Sequence, residues 1–324
     1  MTYNVFYMNP GATQEILDIV SSFVPPGWRL IQQESPTEFE QALAIADFIV
    51  VANDPITKNH LALAPNLKMI QHQGVGYEKI DLLACKARNI PVGLTPEGTT
   101  IGVAEHTLLL ILAVYKQIVT AMNGLTRGQW MQWSLRKDSY ELAGKTLGLV
   151  GYGRIGREVA RRAIAFDAHV IAYDPFVSSE GQEMVRRMRT LDELLSESDV
   201  VSLHVPENSE THHLMNATNL ARMREGAILI NAARGGLVDE AALCEALRSG
   251  HLGGAGLDVF EVEPLRHDHP LLSFQNVILT PHIAAGTRDA LCGKMQAVFA
   301  NLQRYTRNEP LKNLVPNRPP IRLR

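Results

Sequence analysis

The chain has 324 residues, 46% of them hydrophobic, and a formal net charge of −3. This length and composition are typical of a globular protein with two domains, and they exclude a disordered or fibrous chain. Basic residues are scattered and form no stripe, so we expect no nucleic-acid partner. The three cysteines lie far apart in the sequence. Their spacing indicates a reducing compartment and neither a disulfide framework nor a zinc site.

The sequence contains no segment that we interpret as a signal peptide or membrane span. The N-terminus lacks a basic region followed by a long apolar run. The most apolar stretch, residues 101–119, contains Glu105, His106 and Lys116, which favours a buried helix over a membrane span. We therefore predict a cytoplasmic protein with no membrane association.

The first third of the chain alternates short apolar segments with amphipathic ones, which predicts an open parallel sheet covered by helices on both faces. The predicted strands are residues 3–8, 47–52 and 67–71, and the predicted helices lie near residues 13–22 and 59–64. The turn at residues 73–76 follows the third strand at its carboxyl end, where α/β sheets place ligands and backbone N–H groups can bind an anion. An ordinary strand-to-helix turn explains these residues equally well.

A long helix over residues 101–122 is predicted to cross into the second domain. The polar arm that follows, residues 123–142, contains Trp130 and Trp133. Two aromatic side chains in a polar segment indicate burial against another surface. That surface is either a second subunit or the arm's own domain.

A glycine fingerprint begins the second domain. The apolar residues 147–150 lead into the pattern G-x-G-x-x-G, formed by Gly151, Gly153 and Gly156. The first glycine permits a tight turn, the second lets backbone approach a pyrophosphate, and the third lets helix and strand pack closely. The phosphates would lie at the N-terminus of the following helix, where unpaired N–H groups favour an anion.

Asp174 follows the next predicted strand, residues 168–172, at the distance where an acidic residue binds a ribose diol. Its carboxylate would repel a 2′-phosphate, so NAD is favoured over NADP. A surface aspartate before a turn proline is the alternative interpretation of Asp174.

Further strands are predicted at residues 200–205, 227–230, 254–259 and 276–279. They bring this parallel sheet to six strands, and a last helix, residues 287–305, is then free to return to the first domain.

Three polar side chains follow neighbouring strands of this sheet, namely Arg234, Glu263 and His282. The carboxyl ends of such strands converge on the crevice that holds the nicotinamide. An arginine binds a carboxylate through two hydrogen bonds, and a histidine can exchange a proton with a hydroxyl. A glutamate on the other imidazole nitrogen fixes the tautomer and stabilises the charged acid. Together they predict hydride transfer between NAD and a small 2-hydroxy acid or its 2-keto acid.

Each of these residues also has a structural interpretation: a loop arginine, a surface carboxylate, and a histidine that only packs. Other histidines lie outside this pattern. His267 and His269 have metal-ligand spacing but no third group nearby, so we expect no metal. The adjacent His212 and His213 are predicted to lie in a solvated loop. We interpret His106 as a packing residue and, less favourably, as a substrate contact.

In combination, these segments closely resemble the D-isomer-specific 2-hydroxyacid dehydrogenase family over nearly the whole chain. The shared motifs are GVGYEKID at residues 74–81, VAEHTLLLILA at 103–113, LAGKTLGLVGYGRIG at 142–156, LHVP at 203–206, LINAARGGLVDE at 229–240, GLDVFEVEP at 256–264 and TPHIA at 280–284. The resemblance implies two doubly wound parallel-sheet α/β domains. These are a flavodoxin-like substrate domain, residues 1–98 and 286–324, and an inserted Rossmann NAD domain, residues 99–285.

The resemblance also implies the roles of individual residues. Arg234, Glu263 and His282 are expected to be catalytic, with the substrate carboxylate held additionally by the backbone of Val75 and Gly76. Further cofactor contacts are expected from Arg154, Ile155, Val205, Pro206, Ala232 and Asp258, the last near the nicotinamide carboxamide. Members commonly form dimers through their NAD domains, so we predict a homodimer that uses the long helix and the Trp130 and Trp133 arm.

The substrate and the direction of the reaction stay open at this point. Phosphoglycerate dehydrogenases are the most similar members, but residues 52–55 lack the arginine expected for a substrate phosphate, and we expect no extra regulatory domain of the kind that the longer enzymes carry. The alternative function is an NAD(H)-sensing corepressor-type binding protein, against which the intact glutamate and histidine pair argues. A formate or phosphite dehydrogenase is less favoured because formate oxidation needs no acid–base proton transfer.

Overall fold

A computed structural model describes residues 2–32, 36–52, 54–176 and 184–315. The chain forms two compact units. Of the described residues, unit one contains those up to Thr99 and those from Thr287 to Val315, and unit two contains those from Thr100 to Gly286. Unit one is therefore built from both ends of the chain, and unit two is inserted between them.

Unit one contains a five-stranded parallel sheet. Its strands are β1 (Asn4–Met8), β2 (Arg29–Ile31), β3 (Phe48–Val51), β4 (Met69–His72) and β5 (Val92–Gly93), and the connecting helices are α1 (Gln14–Ser21), α2 (Pro36–Ile45), α3 (Lys58–Ala62) and α4 (Leu82–Ala87). The spatial order is β2-β1-β3-β4-β5, which is the flavodoxin order. Side chains alternate between two apolar clusters, with Phe6 and Ile49 in one and Val5 and Val50 in the other. Both faces are thus covered, and the flavodoxin-like prediction is confirmed.

Unit two contains a seven-stranded sheet in which every pairing is parallel. Its helices are α5 (Thr99–Tyr115), α6 (Ile118–Thr126), α7 (Arg154–Ile164), α8 (Leu191–Glu197), α9 (Ala217–Arg222) and α10 (Glu240–Arg248), and its strands are β6 (Thr146–Val150), β7 (His169–Tyr173), β8 (Val185–Arg187), β9 (Val200–Leu203), β10 (Ile228–Asn231), β11 (Gly254–Leu257) and β12 (Val277–Leu279). The order β8-β7-β6-β9-β10-β11 reproduces the Rossmann order, and β12 extends it. The predicted Rossmann domain is confirmed.

The prediction of six strands in this sheet was wrong, because β8 makes a seventh. Its sequence Val-Arg-Arg offers one buried side chain, which is too little for an apolar or alternating pattern. The short strands β2 and β5 of unit one were missed for the same reason. They have three and two residues, and their pairing comes from the neighbouring strands.

The predicted single helix over residues 101–122 was also wrong. The chain bends by 60° between α5 and α6, where Gln117 has a left-handed φ of 54°. A right-handed helix cannot pass through such a residue. No single helix among the described residues is long and apolar enough to cross a membrane, although the bent pair α5 and α6 together would pass on length and composition alone.

The last helix, α11 (Arg288–Thr306), belongs to unit one and is joined to its sheet by a buried polar network. Asn301 donates to the side-chain oxygen of Gln71 (2.8 Å) and accepts from the backbone N–H of Lys312 (2.9 Å). Gln71 donates onward to Thr95 (2.9 Å). Asn301 is 4% exposed, so each bond replaces one that water would otherwise make. This network attaches the C-terminal segment to β4.

Replacing Asn301 by Leu is expected to lower the free energy of unfolding by about 1–3 kcal/mol for each polar group left unsatisfied. The groups concerned are the Gln71 side-chain oxygen and the backbone N–H and carbonyl of Lys312. Urea denaturation of both forms measures the difference. Gln296→Leu is the matched control, because Gln296 lies exposed on the same helix. Equal unfolding midpoints for the two variants would contradict the prediction.

Candidate active site

The turn after β6 has the geometry of a phosphate site. Gly151 has a φ of 98°, and a Cβ there would lie 2.6 Å from the carbonyl oxygen of His204. A Cβ on Gly156 would lie 2.4 Å from the carbonyl oxygen of Gly151. By contrast, apart from its two chain neighbours, no described residue lies within 4 Å of a Cβ built on Gly153, which precedes the exposed Arg154 and the first turn of α7. Two glycines are needed for packing, and the third leaves room for a pyrophosphate at a helix N-terminus.

Asp174, at the end of β7, is held beside this turn. One carboxylate oxygen accepts the backbone N–H of Tyr152 (2.8 Å), and the other accepts that of Phe176 (2.9 Å). Arg187 donates to the backbone carbonyl of Asp174 (2.8 Å) and lies over the Tyr152 ring. A carboxylate has about four acceptor positions, so Asp174 keeps capacity for ribose hydroxyls. The arrangement fits a dinucleotide.

The remaining predicted cofactor residues lie on the same edge of the sheet. Val205 lies beside Gly151, while Ile155 and Ala232 belong to one small apolar cluster that includes Ala284. These contacts connect the glycine turn, the end of β10 and the segment that follows β12. Their contacts to a cofactor stay predictions.

His204 was not among the predicted site residues. Its Nε2 lies 2.9 Å from the hydroxyl of Ser202, and burial lowers the pKa of His204 to about 4. The imidazole is therefore neutral at physiological pH. The following Pro206 accepts the hydroxyl of Thr211 through its carbonyl oxygen (2.7 Å), which fixes the chain where it leaves β9.

The structure brings His282 and Glu263 together. The Nδ1 of His282 lies 2.8 Å from a Glu263 oxygen, and the other Glu263 oxygen accepts the backbone N–H of Phe260 (3.1 Å). Glu263 thus binds Nδ1 and leaves Nε2 as the other ring nitrogen of His282. The two side chains are 40% and 36% exposed. His282 has a left-handed φ of 54°, so its surroundings must hold it in a conformation that is uncommon for histidine.

Arg234 lies at the end of β10, half-buried, before a short 3-10 helix (Gly235–Leu237). Its guanidinium donates to the carbonyl oxygen of Ala233 (2.6 Å), and its own carbonyl accepts from Asn231 (2.8 Å). A Cβ on Gly235 would lie 1.9 Å from the Phe260 carbonyl. The Arg234 segment therefore passes in direct contact with the segment that carries Glu263. Since β10, β11 and β12 are adjacent, the three predicted catalytic residues follow three neighbouring strands.

Asp258 organises the segment around His282. It is fully buried, and its oxygens accept the N–H groups of Ile283 (2.9 Å) and Ala284 (2.8 Å) and the hydroxyl of Thr280 (2.5 Å). Because that hydroxyl proton points to Asp258, the Nε2 of His106, 2.9 Å from the Thr280 oxygen, must be the donor in their bond. Burial raises the pKa of Asp258, but the hydrogen bonds from His106, Thr280 and the backbone outweigh it and lower the pKa.

His106 is therefore more than the packing residue expected from the sequence. It lies 174 positions from Thr280, and no local pattern indicates this bond. The predicted cofactor contact of Asp258 stays a prediction, since both of its carboxylate oxygens already accept hydrogen bonds from the protein. What the geometry does show is that Asp258 fixes the two residues after His282.

The metal-like spacing at residues 267–269 does not assemble a metal site. Arg266 binds Asp268 (2.6 Å), and His269 lies 3.0 Å from Glu240. The described part of the chain contains no group of three or more His, Cys, Asp or Glu side chains arranged to hold a metal ion.

Val75 and Gly76 belong to unit one, in the turn after β4. Val75 is 41% exposed, whereas the preceding Gln73 is buried. Their predicted role in binding a carboxylate stays a prediction. Asn53, in the segment predicted to lack a phosphate-binding arginine, lies outside the described residues.

Comparison with known proteins identifies the family. Residues 108–284 match the model of the D-isomer specific 2-hydroxyacid dehydrogenase, NAD binding domain. The chain belongs to this family. The matched region contains the glycine turn, Asp174 and the three predicted catalytic residues. NAD is therefore the cofactor of unit two, as predicted.

Relatives in this dehydrogenase family differ in length and name. The D-3-phosphoglycerate dehydrogenase of Archaeoglobus fulgidus is 41% identical over 82% of this chain and 50% of its own length. The hydroxypyruvate reductase of Thermotoga maritima is 41% identical over 78% of this chain and 82% of its own. The chain thus spans about half the length of that phosphoglycerate dehydrogenase. Among solved structures, D-lactate dehydrogenase from Aquifex aeolicus, complexed with NAD and lactic acid, superposes with a TM-score of 0.79 at 32% identity, covering 94% of this chain and 96% of that one.

Replacing Asp258 by Asn is expected to lower the free energy of unfolding at pH 7 by about 1–3 kcal/mol, because the buried N–H of Ile283 or Ala284 loses its charged acceptor. The pKa of Asp258 is lowered in the fold, so its contribution is present above the unfolded value near 3.8 and is lost as pH falls through the folded value. Denaturation at pH 7 and at pH 3 measures the change.

The exposed Asp192, in the same unit, provides the control variant Asp192→Asn. The difference between wild type and Asp258→Asn should narrow at pH 3, while the Asp192 variant stays near wild type at both pH values. An equal difference at both pH values would show that the charge of Asp258 is not what stabilises the segment.

Proposed function

We propose that this protein is an NAD-dependent dehydrogenase that interconverts a small D-2-hydroxy acid and its 2-keto acid. The observation that carries the proposal is the His282–Glu263 hydrogen bond of 2.8 Å, held at a sheet edge that also bears Arg234. Family membership supports the same conclusion. An NAD(H)-sensing protein would need no acid–base pair of this kind.

When bound, the nicotinamide supplies or accepts the hydride at the substrate carbon. The protein's own residues do the rest. In the reducing direction, Nε2 of His282 gives its proton to the keto oxygen, while Glu263 at Nδ1 stabilises the charged imidazole beforehand and keeps Nε2 directed to the substrate. In the oxidising direction, the neutral imidazole takes the hydroxyl proton.

Arg234 is proposed to bind the substrate carboxylate. Its guanidinium stays charged at any working pH and offers paired N–H groups to two oxygens. The half-buried setting of Arg234 strengthens such a bond relative to one in open water. Binding by the backbone of Val75 and Gly76 is part of the same proposal.

For the substrate, we propose a small 2-keto acid, with hydroxypyruvate first among the candidates. The hydroxypyruvate reductase of Thermotoga maritima is 41% identical over 78% of this chain, and residues 52–55 contain no arginine for a substrate phosphate. Glyoxylate, pyruvate and phosphohydroxypyruvate complete the panel.

His282→Ala is expected to reduce turnover roughly 10²-fold to 10⁴-fold, because the proton donor is lost. The assay follows NADH oxidation with the panel of 2-keto acids, and fluorescence titration of NADH shows whether cofactor binding survives. His267→Ala is the control, since His267 is exposed and lies in a loop of the same unit.

Wild-type rates in His282→Ala would overturn the proposed mechanism. If the wild-type protein binds NADH and reduces none of the acids, the corepressor-type alternative becomes the better explanation. The two results are separable, because the first concerns a variant and the second the unmodified protein.

We also propose that the protein is a homodimer through the NAD units. Unit two exposes large apolar side chains on α6 and on the arm that follows it: Met122 (55%), Leu125 (52%), Trp130 (79%) and Trp133 (68%). This exposure favours a partner surface over packing of the two tryptophans on their own domain. Apolar and aromatic side chains in this number favour a partner surface.

Light scattering with size-exclusion chromatography is expected to give the mass of a dimer for wild type and of a monomer for the double variant Met122→Glu with Trp133→Glu. A buried, unpaired charge in an apolar interface is strongly unfavourable. Leu83→Glu, at an exposed apolar residue of unit one, is the control and should stay dimeric. A dimer in all three proteins would exclude this surface as the interface.

A further inference from the structure

Two glutamates outside the predicted catalytic set, Glu240 and Glu261, each accept a hydrogen bond from the backbone N–H of the other. The N–H of Glu240, the first residue of α10, donates to Oε1 of Glu261 (3.1 Å), and the N–H of Glu261 donates to Oε1 of Glu240 (2.9 Å). Glu240 is 9% exposed. We call this the reciprocal pair. It joins the start of a helix to a loop 21 residues away.

Two histidines complete the surroundings of the pair. Nδ1 of His269 accepts the backbone N–H of Leu271 (3.3 Å), so the ring proton is on Nε2, which lies 3.0 Å from Oε2 of Glu240 and donates to it. Nε2 of His213 lies 3.1 Å from Oε1 of Glu261. Each oxygen of the Glu240 carboxylate therefore accepts one hydrogen bond, one from the backbone and one from an imidazole, and these two bonds fix its position.

The reciprocal pair lies where the two predicted catalytic segments meet. Glu261 stands between Phe260, whose N–H binds Glu263, and Glu263 itself. Glu240 follows closely on the 3-10 helix that begins at Gly235, next to Arg234. The Arg234 and Glu263 segments therefore touch twice: at Gly235 and the Phe260 carbonyl, and again a few residues later at the reciprocal pair.

We propose that Glu240 is a positioning residue for the reaction: through Glu261 it fixes the loop that presents Glu263 to His282, and it holds that loop against the Arg234 segment. This inference rests on the proposed function. Glu240 acts through backbone bonds and does not touch the substrate. Displacing a supporting loop by about 1 Å can cost roughly 10²-fold in rate, so the effect is measurable.

The pH dependence of 2-keto acid reduction provides the readout. Reduction needs His282 in its charged form, which Glu263 stabilises. Loss or displacement of Glu263 removes the hydrogen bond at Nδ1 of His282, and the alkaline limb of kcat/KM against pH is expected to change position. The variant Glu263→Gln lacks the carboxylate altogether, so its pH profile shows the largest change in the alkaline limb that loss of Glu263 can cause. A merely structural role for Glu240 would lower stability or the yield of active enzyme and leave the shape of the profile unchanged.

The variants are Glu240→Ala and Glu240→Gln, measured with hydroxypyruvate and NADH beside Glu263→Gln. Glu240→Ala is expected to lose about 10-fold to 10²-fold in kcat and to move the alkaline limb toward that of Glu263→Gln, with KM for NADH unchanged. Glu240→Gln keeps an acceptor for the Glu261 N–H and should lie between wild type and Glu240→Ala. Glu245→Ala is the matched control, because Glu245 lies on the same helix and is 76% exposed.

A wild-type profile in both Glu240 variants, whatever their rates, would overturn the inference. If Glu240→Ala does not fold, Glu240→Gln decides between the outcomes. An alkaline limb that differs from that of wild type supports a positioning role, and one that coincides with that of wild type overturns it. Failure of the proposed function is recognised separately. In that case Glu263→Gln itself shows a wild-type profile, or the wild-type protein reduces no keto acid.

Discussion

The buried carboxylate of Asp258 is the interaction on which the site depends. Taking an ionised group out of water is costly unless hydrogen bonds replace the lost solvation. Here two backbone N–H groups, a hydroxyl and, through that hydroxyl, the His106 imidazole supply the replacement. The compensation is possible only if the chain after β12 turns back on the end of β11. That turn places His282 where its side chain reaches Glu263.

The same solution recurs at other strand ends of unit two. Asp174 accepts two backbone N–H groups beside the glycine turn, and Glu240 and Glu261 each accept the other's. In each case a carboxylate accepts hydrogen bonds from loop N–H groups that no longer have a partner strand. The acidic side chains thus hold the loops in place, while the parallel sheet determines where the loops begin. This combination explains how the side chains predicted to be catalytic, such as His282 and Glu263, are held on irregular segments.

The features predicted correctly from the sequence are those whose cause is local or periodic. The glycine turn is one, because the crowding around Gly151 and Gly156 excludes any side chain. The apolar strands β3, β6 and β10 are others, since both of their faces are covered and each is a run of apolar residues. Strand β8 and the break at Gln117 escaped prediction. A three-residue edge strand forms only when β7 is present to pair with it, and a left-handed glutamine has no signal such as glycine provides.

The sequence by itself determined the family, the alternation of strands and helices, the cofactor and the order in which an arginine, a glutamate and a histidine follow three successive strands. The family rests on the resemblance of whole motifs, and the other properties depend on residue types at short spacing, which physical chemistry links directly to turns, strand burial and ligand charge. Only the tertiary structure decided that Glu263 meets Nδ1 of His282, that His106 supports Asp258 across 174 positions, and that Glu240 and Glu261 bind each other. Such contacts join residues that are distant in the chain, and their geometry is set by how the strands assemble, which no local pattern records.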